Sequence, residues 1–161
     1  MGAWCRCCQK AHQPYYEKAK IILVGVILDL CKETDIHEQS PISLAFVGDG
    51  VFELLVRARL VRTTRLLPNN LHKQTVKHVS AHGQAMALAV LEPLLTEKEA
   101  AIIRRGKNST KASVSKHATA EEYRASTALE ALFGYLYLQN ETNRIQEIFE
   151  VVWDAVENFC E

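Results

Sequence analysis

Ser40 and Pro41 stand before a run in which Leu44, Val47, Val51, Leu55 and Ala58 recur at spacings of 3, 4, 4 and 3. This is the period of an α-helix with one apolar stripe. Ser40 can supply the N-cap, and Pro41 suits the first helical position, where a missing N–H costs nothing. The same period returns near the C-terminus at Ile145, Ile148, Val152 and Val156. Between them, Pro68 breaks the chain and "LHKQTVKHVSAHGQAMALAVLEPLL" reads as helical, with interruptions near Gly83 and Pro93. "TEKEAAIIRRG" carries a Thr96–Glu99 capping box and a glycine stop at Gly106. A further helix starts near Thr119, with Glu121 and Glu122 in its first turn. No hairpin signature appears, so the expected fold class is all-α.

The chain has 161 residues, enough for one domain with a real core. The predicted division is an N-terminal extension over residues 1–39 and a helical domain over 40–161. The extension holds "IILVGVILDL", whose ten residues are too few to span a bilayer that needs ~20. It also holds four of the five cysteines, Cys5, Cys7, Cys8 and Cys31, with Cys160 at the other end. No zinc-ligand spacing or secretory pattern accompanies them, which fits free thiols in a reducing cytoplasm.

The formal net charge is zero, yet its signs are segregated. Residues 1–53 carry five Lys/Arg against seven Asp/Glu (−2), residues 54–120 twelve against three (+9), and residues 121–161 two against nine (−7). No acid lies between Glu53 and Glu92, a span that includes Arg57, Arg59, Arg62, Arg65, Lys73 and Lys77. A basic middle on a neutral chain suits a polyanionic partner, although charges separated in sequence can still mix in space. The window 100–120 is also free of acids, with Arg104, Arg105, Lys107, Lys111 and Lys116 among small hydrogen-bonding residues. Such a basic, turn-like stretch suits phosphate contacts.

"SLAFVGDGVFELL" sets Asp49 between Gly48 and Gly50, each costing roughly 1 kcal/mol inside a helix. Helix glycines are tolerated where another helix approaches closely. A carboxylate at such a place requires an arginine partner in the core or a cation, and the residues alone leave both readings open. The apolar stretch "STALEALFGYLYL" likewise contains one acid, Glu130, and one glycine, Gly134. If the two helices pack through their glycines, the acids meet. Oxygen-only ligands then suit Mg²⁺. Glu53, one turn beyond Asp49, could support the site or pair with Arg57 at i+4. A zinc site from His72, His78 and His82 lacks the surrounding pattern such sites carry.

Three stretches in order, "LAFVGDGVFELLVR", "LHKQTVKHVSAHGQA" and "YRASTALEALFGYLYL", resemble the Mini-ribonuclease III family. The resemblance covers about Pro41 to Asn140. It implies an all-helical homodimer, a ribonuclease III catalytic domain without a separate RNA-binding domain, that cuts double-stranded RNA with Mg²⁺. By this resemblance Asp49 is the catalytic aspartate and Glu130 the second metal-binding acid, with Thr127 one turn before it; Glu53 joins them only by its place one turn beyond Asp49. The larger ribonucleases III have further acids where this chain has Ala45 and Thr127, a departure shared by the Mini-III branch. The basic loop resembles the family's insertion loop that engages substrate, and Lys73 and Lys77 on the middle helix are weaker candidates for RNA contact. The implied substrate is precursor ribosomal RNA of the large subunit, cut to leave a 5′-phosphate and a 3′-hydroxyl. Phe46, Phe52 and Leu55 exceed the needs of one core stripe, as a dimer partner on this helix would explain, although such residues are more often plain core. Two other readings remain at this point: a non-catalytic binder of double-stranded RNA, and a helical protein-interaction module.

Overall fold

Six α-helices account for most of the residues the computed structural model describes, 35–109 and 118–159: α1 Pro41–Thr63, α2 Pro68–Val79, α3 Ala81–Leu91, α4 Glu97–Lys107, α5 Ala120–Leu138 and α6 Thr142–Phe159. Short 3₁₀ turns at Ile36–Glu38 and Glu92–Leu94 complete them, and no strand occurs among the described residues. The apolar run Ile21–Leu30, the five cysteines, Lys111 and Lys116 lie outside those residues.

Local chemistry starts the helices where expected. Ser40 Oγ accepts the Ser43 N–H at 3.0 Å, with Pro41 behind it. Thr96 and Glu99 form a complete capping box on α4, and Thr119 and Glu122 another on α5. The α2–α3 break falls at Ser80, earlier than expected, because Ser80 Oγ caps α3 by accepting the Gly83 N–H. Gly106 does not stop α4, which runs on to Lys107. Its φ is not positive, and its missing side chain serves packing instead: a Cβ there would sit 2.6 Å from Ala128 Cα of α5.

The central helix is α5, which packs on α1, α3, α4 and α6. Ser126–Leu129 and Ala131–Leu136 are all buried, as a helix surrounded on every side must be. Glu130 is the single position in this run that is not fully buried. The broadest interface is between α5 and α1. The buried face of α1 is Leu44, Ala45, Gly48, Phe52, Val56 and Leu60. It differs from the expected stripe: Val47, Val51 and Leu55 only flank it, and Ala58 is exposed. Because α1 is apolar almost all round, hydropathy could not choose its inner face. The small residues Ala45 and Gly48 chose it by permitting close approach.

Aromatic contacts join the outer helices. Phe52 of α1 meets Phe133 of α5 at 5.0 Å and Phe149 of α6 at 6.1 Å between ring centroids. The Arg59 guanidinium lies 4.6 Å from the Trp153 ring, and His78 stacks on Trp153 at 4.0 Å. Arg59 pairs with Glu150, and the His78 Nε2 is 3.0 Å from Glu157. Buried Glu99 receives Arg144 at 2.8 and 3.1 Å, which ties α4 to α6. Burial alone would raise the Glu99 pKa, but Arg144 and the Thr96 N–H more than offset it and hold it below its ordinary value.

At the α1–α5 crossing, Gly48→Ala is expected to lower unfolding free energy in urea by about 1–3 kcal/mol, despite a helix-propensity gain of ~1 kcal/mol. Combining it with Gly134→Ala should cost less than the sum, since both spread the same crossing. His78 supplies a pH test. Its ring is fully buried, and burial lowers its pKa below 6.5, against the opposing pull of Glu157 and with Lys77 and Arg59 adding to the fall. The unfolded chain therefore takes up this proton first as pH falls. The His78 contribution is complete above about pH 6.5 and is lost progressively below it. Wild-type stability should fall as pH drops below about 6.5, by no more than about 1.4 kcal/mol per pH unit from this group. His78→Phe, which preserves stacking, should flatten that decline in pH-dependent urea titrations.

Candidate active site

The two acids singled out by the sequence sit on the two helices that pack most closely. At the crossing, backbone meets backbone. A Cβ on Gly48 would lie 1.7 Å from the Glu130 carbonyl oxygen, and one on Gly134 would lie 2.0 Å from the Leu44 carbonyl oxygen. Asp49 follows Gly48 directly and is exposed, whereas Glu130 is half-buried. The crossing therefore carries one acid from each helix at the edge of the core.

One turn before each acid the chain is closed to solvent, with Ala45 and Thr127 each 2% exposed. Thr127 lies beneath Glu130 on α5 without reaching the surface. Glu53 takes up the pairing with Arg57, whose Nε donates to it at 3.0 Å. Gly50, the second glycine beside Asp49, has nothing within 4 Å of where a Cβ would be. The two glycines thus have different surroundings: Gly48 faces the core and Gly50 faces out.

Among the described residues, no group of three or more His, Cys, Asp and Glu side chains is arranged to hold a metal ion. Asp49 and Glu130 offer two carboxylates, one open to water, at a single helix crossing. That donor set suits a hard, partly hydrated cation such as Mg²⁺, which commonly takes one or two carboxylates and completes its shell with water and substrate phosphate. It would not suit a closed structural zinc site. His82 is instead paired with Glu122 at 2.7 Å, which, with the Thr119 N–H, draws the Glu122 pKa down to about 2.

The expected RNA-contacting cations separate into groups. Arg104 is exposed on α4, and no ion pair holds it among the described residues. Arg105 donates to the carbonyl oxygens of Gln39 at 2.8 Å and His37 at 3.4 Å. Lys107 pairs with Glu92. Lys73 and Lys77 are exposed on α2, again without an ion pair among the described residues. Arg104 and Arg105 line a cavity with Pro41, at the start of α1. Meanwhile α2 packs beside Arg57, Leu60 and Val61, near its end. The α4 and α2 cations thus lie toward opposite ends of the helix that carries Asp49. The pairings of Arg105 and Lys107 could not be read from the sequence, since their partners are distant carbonyls and an acid 15 residues away.

A cleft of about 730 Å³, lined by Leu88, Glu92, Lys107, Asn108, Glu121 and Arg124 among others, does not include Asp49 or Glu130. A duplex needs no such cleft, because A-form RNA is engaged across a broad groove surface. No helix among the described residues is long and apolar enough to cross a membrane.

Comparison with known proteins gives the family of the chain. Residues 42–141 match the Ribonuclease III domain. The chain is 40% identical over 117 residues to the Mini-ribonuclease 3 of Symbiobacterium thermophilum, covering 73% of this chain and 90% of that protein. It is 42% identical over 118 residues to that of Brevibacillus brevis, covering 73% and 88%. A crystal structure of a Fusobacterium nucleatum protein superposes with a TM-score of 0.69 at 30% identity, covering 76% of this chain and 98% of that one. With its all-helical fold and a domain match spanning both acid-bearing helices, this chain belongs to the Mini-ribonuclease III family and is an endoribonuclease.

Proposed function

We propose that the protein is a homodimeric, Mg²⁺-dependent endoribonuclease that cuts double-stranded regions of structured RNA, with precursor large-subunit ribosomal RNA as its substrate in the cytoplasm. The observation that carries this reading is the opening of the central helix at Glu130, whose backbone lies against Gly48, the neighbour of exposed Asp49. A run of α5 that is buried on either side of Glu130 here carries a carboxylate at the same crossing as Asp49.

Asp49 and Glu130 would hold the cation, with Thr127 packed beneath Glu130. When bound, Mg²⁺ supplies charge stabilisation at the scissile phosphate and polarises the water that hydrolyses it. The products carry a 5′-phosphate and a 3′-hydroxyl. Arg104, Lys73 and Lys77, toward the two ends of α1, are suited to phosphates on either side of the cut. Their contacts are electrostatic and read shape, not base sequence. Lys111 and Lys116, which lie outside the described residues, belong to the basic stretch between α4 and α5 in the sequence and are proposed as further phosphate contacts.

The outer face of α1 supports the dimer. Phe46, Leu54 and Val61 are 85%, 67% and 64% exposed, and open Gly50 shares their face. Single exposed apolar residues are ordinary, but an aligned set on the helix bearing the active acid marks an interface. In an isologous pair this face meets its own copy, placing one site in each subunit, so that the two strands of a duplex are cut by one assembly.

Asp49→Asn and Glu130→Gln should each lower Mg²⁺-dependent cleavage of a short RNA hairpin by roughly 10²-fold or more, while gel-shift affinity stays close to wild type. Cleavage at wild-type rate by either variant rules out the assigned site. A gel shift without product from the wild type would instead indicate a pure binding protein. Phe46→Glu should convert the dimer to a monomer in sedimentation measurements. An unchanged mass would remove α1 from the interface.

A further inference from the structure

The α1–α5 interface is closest at the Gly48–Gly134 crossing and continues through the Phe52–Phe133 contact toward the C-terminal half of α1. The N-terminal end of α1, which leads into Asp49, has a further attachment of its own. That attachment comes through α4. On one side, Gly106 lets the α4 backbone press onto Ala128, two residues before Glu130. On the other, the adjacent Arg105 reaches the chain entering α1. Its Nη2 donates to the Gln39 carbonyl at 2.8 Å and its Nη1 to the His37 carbonyl at 3.4 Å. Gln39 directly precedes Ser40, the N-cap of α1, and His37 lies two residues before Gln39. The His37 ring also lies 6.0 Å from the Tyr135 ring of α5. Consecutive residues of one helix thus hold both acid-bearing helices.

We propose that Arg105 is a positioning residue: by gripping the His37 and Gln39 carbonyls it sets the roll of α1 against α5, and so the placement of Asp49 relative to Glu130. This rests on the assignment of those two acids above, and it differs from the phosphate contact that the charge of Arg105 suggests in sequence. The planar guanidinium suits the task because it presents several N–H donors in a rigid fork, which a lysine ammonium does not. Small displacements are costly at such a site, since a shift of about 1 Å can reduce turnover by ~10²-fold.

The test compares Arg105→Ala, Arg105→Lys and Arg104→Ala in the full chain. It measures kcat and KM on a hairpin RNA, the slope of log affinity against log salt, and the rise in thermal midpoint on adding Mg²⁺ alone. Arg105→Ala is expected to lower kcat about tenfold or more and to shrink the Mg²⁺-induced rise in Tm, because the metal reads the spacing of the acids without RNA. KM and the salt slope should stay at wild-type values. Arg105→Lys should recover part of the kcat, since one ammonium can still reach one carbonyl. Arg104→Ala should reduce the salt slope by about one and raise KM. If Arg105→Ala fails to fold, Arg105→Lys is read by the same criteria. The proposal is overturned if the Arg105 variants lower the salt slope and raise KM with kcat unchanged, or leave kcat and the Mg²⁺ response untouched. Retained cleavage by Asp49→Asn under the same conditions would mark failure of the acid assignment instead.

Discussion

Where α1 crosses α5, the Gly48 position lies against the Glu130 carbonyl and the Gly134 position against the Leu44 carbonyl, leaving no room for a side chain at either. Two helices of ordinary composition pack 8–10 Å apart, separated by their side chains. Here reciprocal glycines remove that spacer at one level. Most of the remaining architecture follows from this contact. It lets α5 sit deep enough to be enclosed by α1, α3, α4 and α6, and it brings the backbone of Glu130 against Gly48, the neighbour of Asp49. Each glycine weakens its own helix, a cost of roughly 1 kcal/mol that the closer packing offsets.

Around this crossing, charge is used in two physically distinct ways. Glu99 and Arg144 are partly or wholly withdrawn from water and bonded through several hydrogen bonds, with Arg144 also donating to the Leu94 carbonyl at 3.0 Å. Arg59 is spread over Trp153 and held by Glu150, in a column that continues through His78 to Glu157. Such groups join helices and would be costly to leave unpaired. Arg104, Lys73 and Lys77 are exposed, with no ion pair among the described residues, so the phosphate contacts proposed for them would cost little desolvation. A count of basic residues treats these classes alike. Only the partners of each side chain tell a clamp from a contact.

Much of this was legible in the sequence because helix ends are local. Ser40–Pro41, Thr96–Glu99 and Thr119–Glu122 each complete their bonds within four residues, so spacing alone reveals them. The paired acid-and-glycine pattern of the "GDG" and "EALFG" stretches is also local, and it pointed to the crossing. The inner face of α1 was not legible, since Phe46, Leu54 and Val61 are as apolar as the residues that became core. In sequence Gly106 reads as a stop, because a glycine at a helix end and one at a helix contact look the same until the neighbour, Ala128, is known.

By itself the sequence determined an all-helical chain, the places where most helices begin, the two acids and the basic middle, all of which depend on neighbours a few residues away. The tertiary structure alone decided that Glu130 is the opening in a buried helix, that Gly48 faces inward while Gly50 faces out, and that Arg105 is engaged by the entry to α1 while Arg104 is not. Those outcomes depend on close backbone approach between segments as distant as Gly48 and Gly134, or His37 and Arg105. Such approach is set by the shape of the whole packed core, which no short window of the chain contains.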